Sequence, residues 1–303
     1  MEYLHNSPEE FSDAIHLTSE KFGILPAVAE KDYYVTLILR GLAERLPYIV
    51  FKGGTSLSKC HKVIKRFSED IDTAINIKLT QGQMRNVKEA VKVTTEKLGL
   101  IIPNIEETRS RRSYNKYIIR YKSVFNGEDE AAPPRILLET TTFEVSFPTV
   151  DLPVHNYVGD MMEDEAPDMI KAFQLEPFIM KVQGLDRTLI DKTFAICDYY
   201  LSGTINRHSR HIYDIYKLFP LVPQTGAFRN LIKMVRAERA KDAKICLSAR
   251  PGIDVTAILN EIIDKKVYKA DYDNLTSRIL EENIPYDTAI KGVKELAESG
   301  LFS

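Results

Sequence analysis

Two carboxylates stand two residues apart in the run Asp70-Ile-Asp-Thr-Ala-Ile-Asn-Ile77. In a strand, residues i and i+2 project from one face. Asp70 and Asp72 therefore point together, away from Ile71, Thr73 and Ile75. Like charges held this close repel unless a cation lies between them. A hard divalent ion such as Mg²⁺ takes a few carboxylates and keeps room for substrate phosphate oxygens, so the pair is a candidate metal site. A bare Asp-x-Asp also occurs on solvated edges. Its place shortly after Phe51-Lys-Gly-Gly-Thr-Ser-Leu-Ser-Lys59 makes it more specific.

That preceding run reads as a strand, a Gly-Gly turn and a hydroxyl pair opening a helix. Glycines let a backbone approach a ligand closely, and a helix N-terminus offers N–H groups and a positive dipole end. Gly53, Gly54, Thr55, Ser56 and Lys59 are thus candidates for holding phosphates, although a Gly-Gly before a helix also serves as a plain tight turn. The spacing is not that of a P-loop. Ser68 precedes Asp70 by two residues, so its hydroxyl shares the acidic face if the strand starts early, close to a nucleotide or metal.

Lys192 interrupts the apolar stripe Leu185, Leu189, Ile196, Tyr199. A lysine there either snorkels or meets an anion such as phosphate. Asp214 shares a helix face with His211 and Leu218 and points inward. It serves a salt bridge, for instance with Arg210 or a lysine, or an active site. Glu139 lies in the strand-like run Arg135–Thr142, flanked on its own face by Leu137 and Thr141, and is a candidate third carboxylate or an ordinary strand-edge acid. Two basic sets could meet an acceptor or simply be solvated surface. In the first, Arg111, Arg112, Lys116 and Arg120 are interleaved with tyrosines. In the second, Arg229, Lys233 and Arg236 fall near one helix face.

These residues need elements to hold them. Ser7-Pro-Glu-Glu10 predicts a capped helix to Phe22, and Pro26 opens a longer one to Arg45. Strands are expected at Tyr48–Phe51, Asp70–Ile77, Tyr114–Phe125 and Arg135–Phe147. Helices are expected at Thr55–Val63 and from Thr80 to Leu98. A polar loop joins the last two strands, and 148–171 reads as irregular. From Leu185 the pattern is helical: Leu185–Leu201, His208–Phe219, Ala227–Ala243, Val255–Lys265, Tyr272–Glu282 and Tyr286–Glu298. The division expected is an α/β domain over 1–184 and a helical domain over 185–303 that completes the active site.

The chain has 303 residues, 44% hydrophobic and 28% charged, which excludes a disordered or fibrous chain. With 41 Lys+Arg against 43 Asp+Glu the net charge is −2, so no chain-wide basic field attracts nucleic acid; only local patches can. Three scattered cysteines argue against a disulfide framework or a zinc site. No stretch suits a signal peptide or a spanning helix. A cytoplasmic protein with no membrane partner is expected.

The order Gly53-Gly-Thr-Ser-Leu-Ser58, Arg66-Phe-Ser-Glu-Asp-Ile-Asp72, Asp191-Lys-Thr-Phe-Ala195 and Arg210-His-Ile-Tyr-Asp-Ile-Tyr216 resembles the AbiEii/AbiGii toxin family. Before the Tyr-Asp the family often carries Asp-Leu or Asp-Phe, where this chain has His211-Ile212. The resemblance implies the polymerase-beta type nucleotidyltransferase fold: a mixed sheet with flanking helices, followed by a helical C-terminal part. It implies a growth-inhibiting toxin of a type IV toxin–antitoxin system that transfers a nucleoside monophosphate from an NTP to an acceptor. The implied acceptor is a tRNA 3′ end, with translation blocked as the result, and a cognate antitoxin is implied as partner. In this reading Asp70 and Asp72 hold Mg²⁺ and Lys192 contacts phosphate. Asp214 belongs to the active site, with Glu139 as a possible member. Two alternatives stand beside it: a transferase acting on a protein or small molecule, and a catalytically silent nucleotide-binding regulator.

Overall fold

The computed structural model describes residues 2–66, 68, 70–110, 112–125, 133–242 and 244–303. Arg111, the loop over 126–132 and the expected helix end at Ala243 lie outside the described residues. The chain divides into two compact units, Met1–His61 with Ser68–Val182, and Lys62–Phe67 with Gln183–Ser303.

The first unit is built on a mixed six-stranded sheet ordered β3-β4-β2-β1-β6-β5. Its strands are β1 (Ile49–Lys52), β2 (Ile71–Ile75), β3 (Tyr114–Arg120), β4 (Arg135–Val145), β5 (Thr149–Val154) and β6 (Phe178–Gln183). β2 lies antiparallel to β1 and parallel to β4, and β1 lies parallel to β6. The helices of this unit are α1 (Pro8–Phe22), α2 (Pro26–Arg45), α3 (Gly53–Lys59), α4 (Gln81–Lys97), α5 (Tyr157–Glu165) and α6 (Pro167–Ala172). Its core joins Tyr33, Leu37 and Leu42 of α2 to Phe51 and Ile71 of the sheet.

Several sequence cues act locally as expected. Pro8 and Pro26 open α1 and α2, and Gly23 ends α1 with φ +65°. Thr80 and Gln83 form a reciprocal capping box on α4. Ser7 makes no such side-chain bond, although it precedes α1. The segment expected to be irregular over 148–171 instead holds β5, α5 and α6, and β6 follows. β5 carries Pro153 and two exposed residues in mid-strand, which an edge strand tolerates and a central strand does not.

The second unit is helical: α7 (Leu185–Ser202), α8 (Arg210–Leu218), α9 (Gly226–Arg239), α10 (Val255–Asp264) and α11 (Tyr286–Glu298). Between α10 and α11 the helical turns Lys269–Asp271 and Ser277–Ile279 flank a π-helical stretch, Tyr272–Thr276. α8 and α11 pack so closely that a Cβ at Gly292 would meet the Tyr216 Cα at 2.5 Å. Among the described residues no helix is long and apolar enough to cross a membrane.

Candidate active site

In the first unit, the turn and the acidic strand are fitted to one another. Gly53 follows β1 with φ +81°, and a Cβ there would lie 2.0 Å from Asp72 Oδ2. Only glycine permits both the backbone angle and the approach. The hydroxyls beside it hold the local chain. Thr55 Oγ1 donates to the Asp70 carbonyl at 2.5 Å and lies 3.0 Å from Ser68 Oγ. Ser56, fully buried, donates to the Gly53 carbonyl at 2.9 Å. Gly54 is buried within the first turn of α3. Lys59 pairs with Asp32 of α2 at 2.5 Å, and both side chains are mostly buried.

Register places charges in a row across the sheet. Lys52 of β1 opposes Asp72 of β2, Asp72 lies level with Glu139 of β4, and Glu139 opposes Lys116 of β3. Opposed residues share a face, so signs run plus, minus, minus, plus. Lys116 Nζ donates to Glu139 Oε1 at 3.0 Å. Tyr114, 45% exposed, stands on the same edge strand. Its burial, Glu139 and then Asp72 and Asp70 push the phenol's pKa upward, so the hydroxyl keeps its proton. Arg120, opposite Arg135, lies exposed at the end of β3, and Arg112 donates to the Glu107 carbonyl at 3.3 Å.

β2 starts at Ile71 rather than at Asp70 as expected, so Asp72 lies in the strand and Asp70 just ahead of it. Two carboxylates this close in the chain, one of them against a turn with no side chain in the way, are a donor set that suits a hard divalent cation. Among the described residues no group of three or more His, Cys, Asp or Glu side chains surrounds a common metal position. A pair of carboxylates leaves the remaining positions to substrate oxygens and water, the usual Mg²⁺ arrangement in phosphoryl transfer.

In the second unit Asp214 of α8 is fully buried and takes two cations. Arg66 grips it bidentately, Nε to Oδ1 at 2.7 Å and Nη2 to Oδ2 at 2.9 Å. Lys192 of α7 lies 2.7 Å from Oδ2, itself 6% exposed. Burial alone would raise the Asp214 carboxyl, but Arg66, Lys192 and a bond from His211 hold it well below the usual range. Burial, only partly offset by Asp214, lowers the Lys192 ammonium. Burial and the Lys192 charge push His211 down to about 3, so its ring is neutral. The lysine on the apolar stripe thus meets a carboxylate rather than snorkelling, and Asp214 pairs with Arg66 and Lys192 rather than Arg210.

Arg66 is the residue that sequence reasoning passed over. In the sequence it stands only as the first residue of the acidic motif. Its segment is tied into the second unit, where Tyr213 accepts from the Lys65 N–H at 2.9 Å and Glu281 donates to the Lys65 carbonyl at 3.0 Å. The signal available was a lone arginine ahead of an acidic strand, which names no partner. Arg229, Lys233 and Arg236 lie on α9, as the helical spacing predicts.

The family model described as "Nucleotidyl transferase AbiEii toxin, Type IV TA system" matches residues 37–294, which puts the chain among the nucleotidyltransferases. Within that class it belongs to the AbiEii toxins of type IV toxin–antitoxin systems. No curated protein shows a significant sequence match. Among solved structures, MenT4, a nucleotidyltransferase toxin from Mycobacterium tuberculosis H37Rv, is similar at a TM-score of 0.49 and 16% identity, over 95% of this chain and 97% of that one.

Proposed function

We propose that the protein transfers a nucleoside monophosphate from an NTP to an acceptor hydroxyl, with a tRNA 3′ end as that acceptor and arrested translation as the consequence. The observation that carries this reading is the fit of Gly53 against Asp72. The turn and the carboxylate are so close that a phosphate chain on one is beside the other.

Asp70 and Asp72 would hold Mg²⁺, which when bound offsets the triphosphate charge and polarises the α-phosphate. The chain's own groups do the rest. The glycine turn lets backbone N–H groups approach phosphate oxygens without side-chain interference. Thr55 and Ser68 fix the backbone at Asp70, which keeps the carboxylates in place. Glu139, held by Lys116, lies in register with Asp72 and can accept a proton from an incoming hydroxyl. Lys116 and Arg120 share that face of β3, Arg112 lies just ahead of the strand, and the three suit an RNA backbone. Lys192 takes the phosphate contact that the family resemblance assigns it, with Asp214 setting its position and charge.

The test is incubation with total RNA and each labelled NTP in turn, with Mg²⁺ or with EDTA. Label entering RNA only with Mg²⁺, concentrated in the tRNA fraction and lost after 3′-end oxidation, is the expected result. Label entering protein instead would replace the acceptor; none at all would leave only nucleotide binding. A cognate antitoxin is the partner that a toxin of this class requires.

A further inference from the structure

Three of the hydroxyls beside the acidic strand are spent on the backbone: Thr55 on the Asp70 carbonyl, Ser56 on the Gly53 carbonyl and Thr73 on the Glu139 carbonyl. Tyr114 differs. It opposes Thr141 across the β3–β4 pair, where Lys116 opposes Glu139. Residues at i and i+2 of a strand share a face, and an aromatic side chain spans the diagonal to the residue two places from the one it opposes. Tyr114 thus reaches Glu139, and its phenol donates a hydrogen bond to that carboxylate. Asp72, level with Glu139 on β2, and Asp70 beside it are near enough for their charges to act on the phenol. Tyr114 is 45% exposed, so an incoming molecule meets it. All four residues belong to the first unit.

We propose that the Tyr114 hydroxyl is itself an acceptor, and that the protein attaches one nucleoside monophosphate to this tyrosine of its own chain. The inference rests on the nucleotidyl-transfer reading. An acceptor hydroxyl in that reaction needs a carboxylate to take its proton and a nucleotide held at the two aspartates. Tyr114 has the first as a bond already made, and the second lies in register one strand further on. The phenolic oxygen forms a bond to the α-phosphorus of an NTP. The bond from that phosphorus to the oxygen bridging to the β-phosphate breaks, and pyrophosphate leaves. The proton goes to Glu139. The product is a phosphodiester between the tyrosine and the nucleoside. Burial and the acidic neighbours keep the phenol protonated, which makes the base necessary. A tethered hydroxyl needs no binding step, so orientation favours it over one arriving from solution. Once Tyr114 carries a nucleotide, an outside acceptor is kept from Glu139, and RNA transfer falls as self-modification accumulates.

The experiment is incubation of the purified full chain with each labelled NTP and Mg²⁺, with and without total RNA, followed by intact-mass and peptide measurements. Without RNA the chain should gain the mass of one nucleoside monophosphate, on the peptide that contains Tyr114, at a rate independent of protein concentration. Tyr114→Phe should abolish that gain. Glu139→Gln should slow it by at least about 10²-fold, the lower end for loss of a general base. A mixture of Tyr114→Phe and Asp72→Asn chains should stay unlabelled, because the first lacks the acceptor and the second the metal-binding acid. Label on the Asp72→Asn chain of that mixture, modification at another residue that persists in Tyr114→Phe, or a rate unchanged in Glu139→Gln overturns the proposal. Label entering RNA with none entering the protein overturns it too, and leaves the transfer reading standing. Label in neither overturns both, whereas Tyr114 labelled without RNA labelled supports the proposal and removes only the RNA acceptor.

Discussion

Asp214 shows how much of a buried charge's meaning lies in its partners. Arg66 and Lys192 bring two positive charges to its one negative charge. Removing Lys192 leaves a neutral bidentate pair; removing Asp214 leaves two buried cations facing each other. Asp214→Ala should therefore cost about 3–5 kcal/mol, the range for breaking a buried pair from one side. Lys192→Met should cost far less, because it takes a desolvated charge off an apolar helix face. Urea unfolding of both variants checks the order, and equal losses would contradict it. Sequence made the inward direction of Lys192 and Asp214 legible, since both interrupt helical apolar patterns. It did not reveal Arg66, whose approach to Asp214 spans 148 positions of chain.

His211 adds a pH dependence at the same scale. Folded, its ring titrates at about 3 rather than 6.5, driven first by burial and then by Lys192. Between those values the unfolded chain binds a proton there that the folded chain refuses. Stability must then fall as pH is lowered from about 6.5, by up to ~1.4 kcal/mol per pH unit for one proton. His5 and His208 are also lowered by burial and add to the slope. Asp214 acts in a different window. Its folded value is depressed, so its contribution is present above 3.8 and lost only as pH drops further. His211→Asn should flatten the stability profile between pH 6.5 and 4.5 while leaving the loss below 3.8. A profile unchanged in the first window would contradict the neutral buried ring.

At the scale of elements, the sheet's register sets the chemistry. A shift of one residue in β2 would turn Asp72 inward and Ile71 outward. The buried side of Ile71, Thr73 and Ile75 prevents it, and the Thr73 hydroxyl adds a bond to the Glu139 carbonyl at 3.0 Å. This alternation was readable from sequence, as were α2, α7 and α11, whose long apolar periods leave little choice. β5 and β6 were not. β5 is a proline-bearing edge strand with weak alternation, and β6 is a short run that becomes a strand only by pairing with β1. The Gly53 turn was legible as a close approach, but the group it approaches was not. Gly53→Ala tests that contact. The added methyl cannot share space with Asp72 Oδ2 at 2.0 Å, and φ +81° disfavours it further. The variant should lose both transfer and some stability, roughly 1–3 kcal/mol. A Gly53→Ala protein with native turnover would show that the carboxylate need not sit against the turn.

Over the whole molecule, a net charge of −2 leaves recognition of RNA to local surfaces. Lys116 and Arg120 on the exposed edge of β3 and Arg229 and Lys233 on α9 are local cationic sets, one in each unit. The family match spans 37–294 and so draws on both units, which is why motifs from Phe51 to Tyr216 had to be read together to be specific. The central claim is that Asp70 and Asp72 are the metal-binding acids of a nucleotidyl transfer. It is tested most directly by measuring incorporation of labelled NMP into RNA by Asp72→Asn across a Mg²⁺ titration, with unfolding followed in parallel. The account predicts an unchanged or slightly raised melting temperature, because one of two neighbouring negative charges is gone. It predicts incorporation at least ~10²-fold below the unaltered protein at every Mg²⁺ concentration, the scale for losing one preorganised electrostatic group. Near-native incorporation by a folded Asp72→Asn protein at ordinary Mg²⁺ would contradict it.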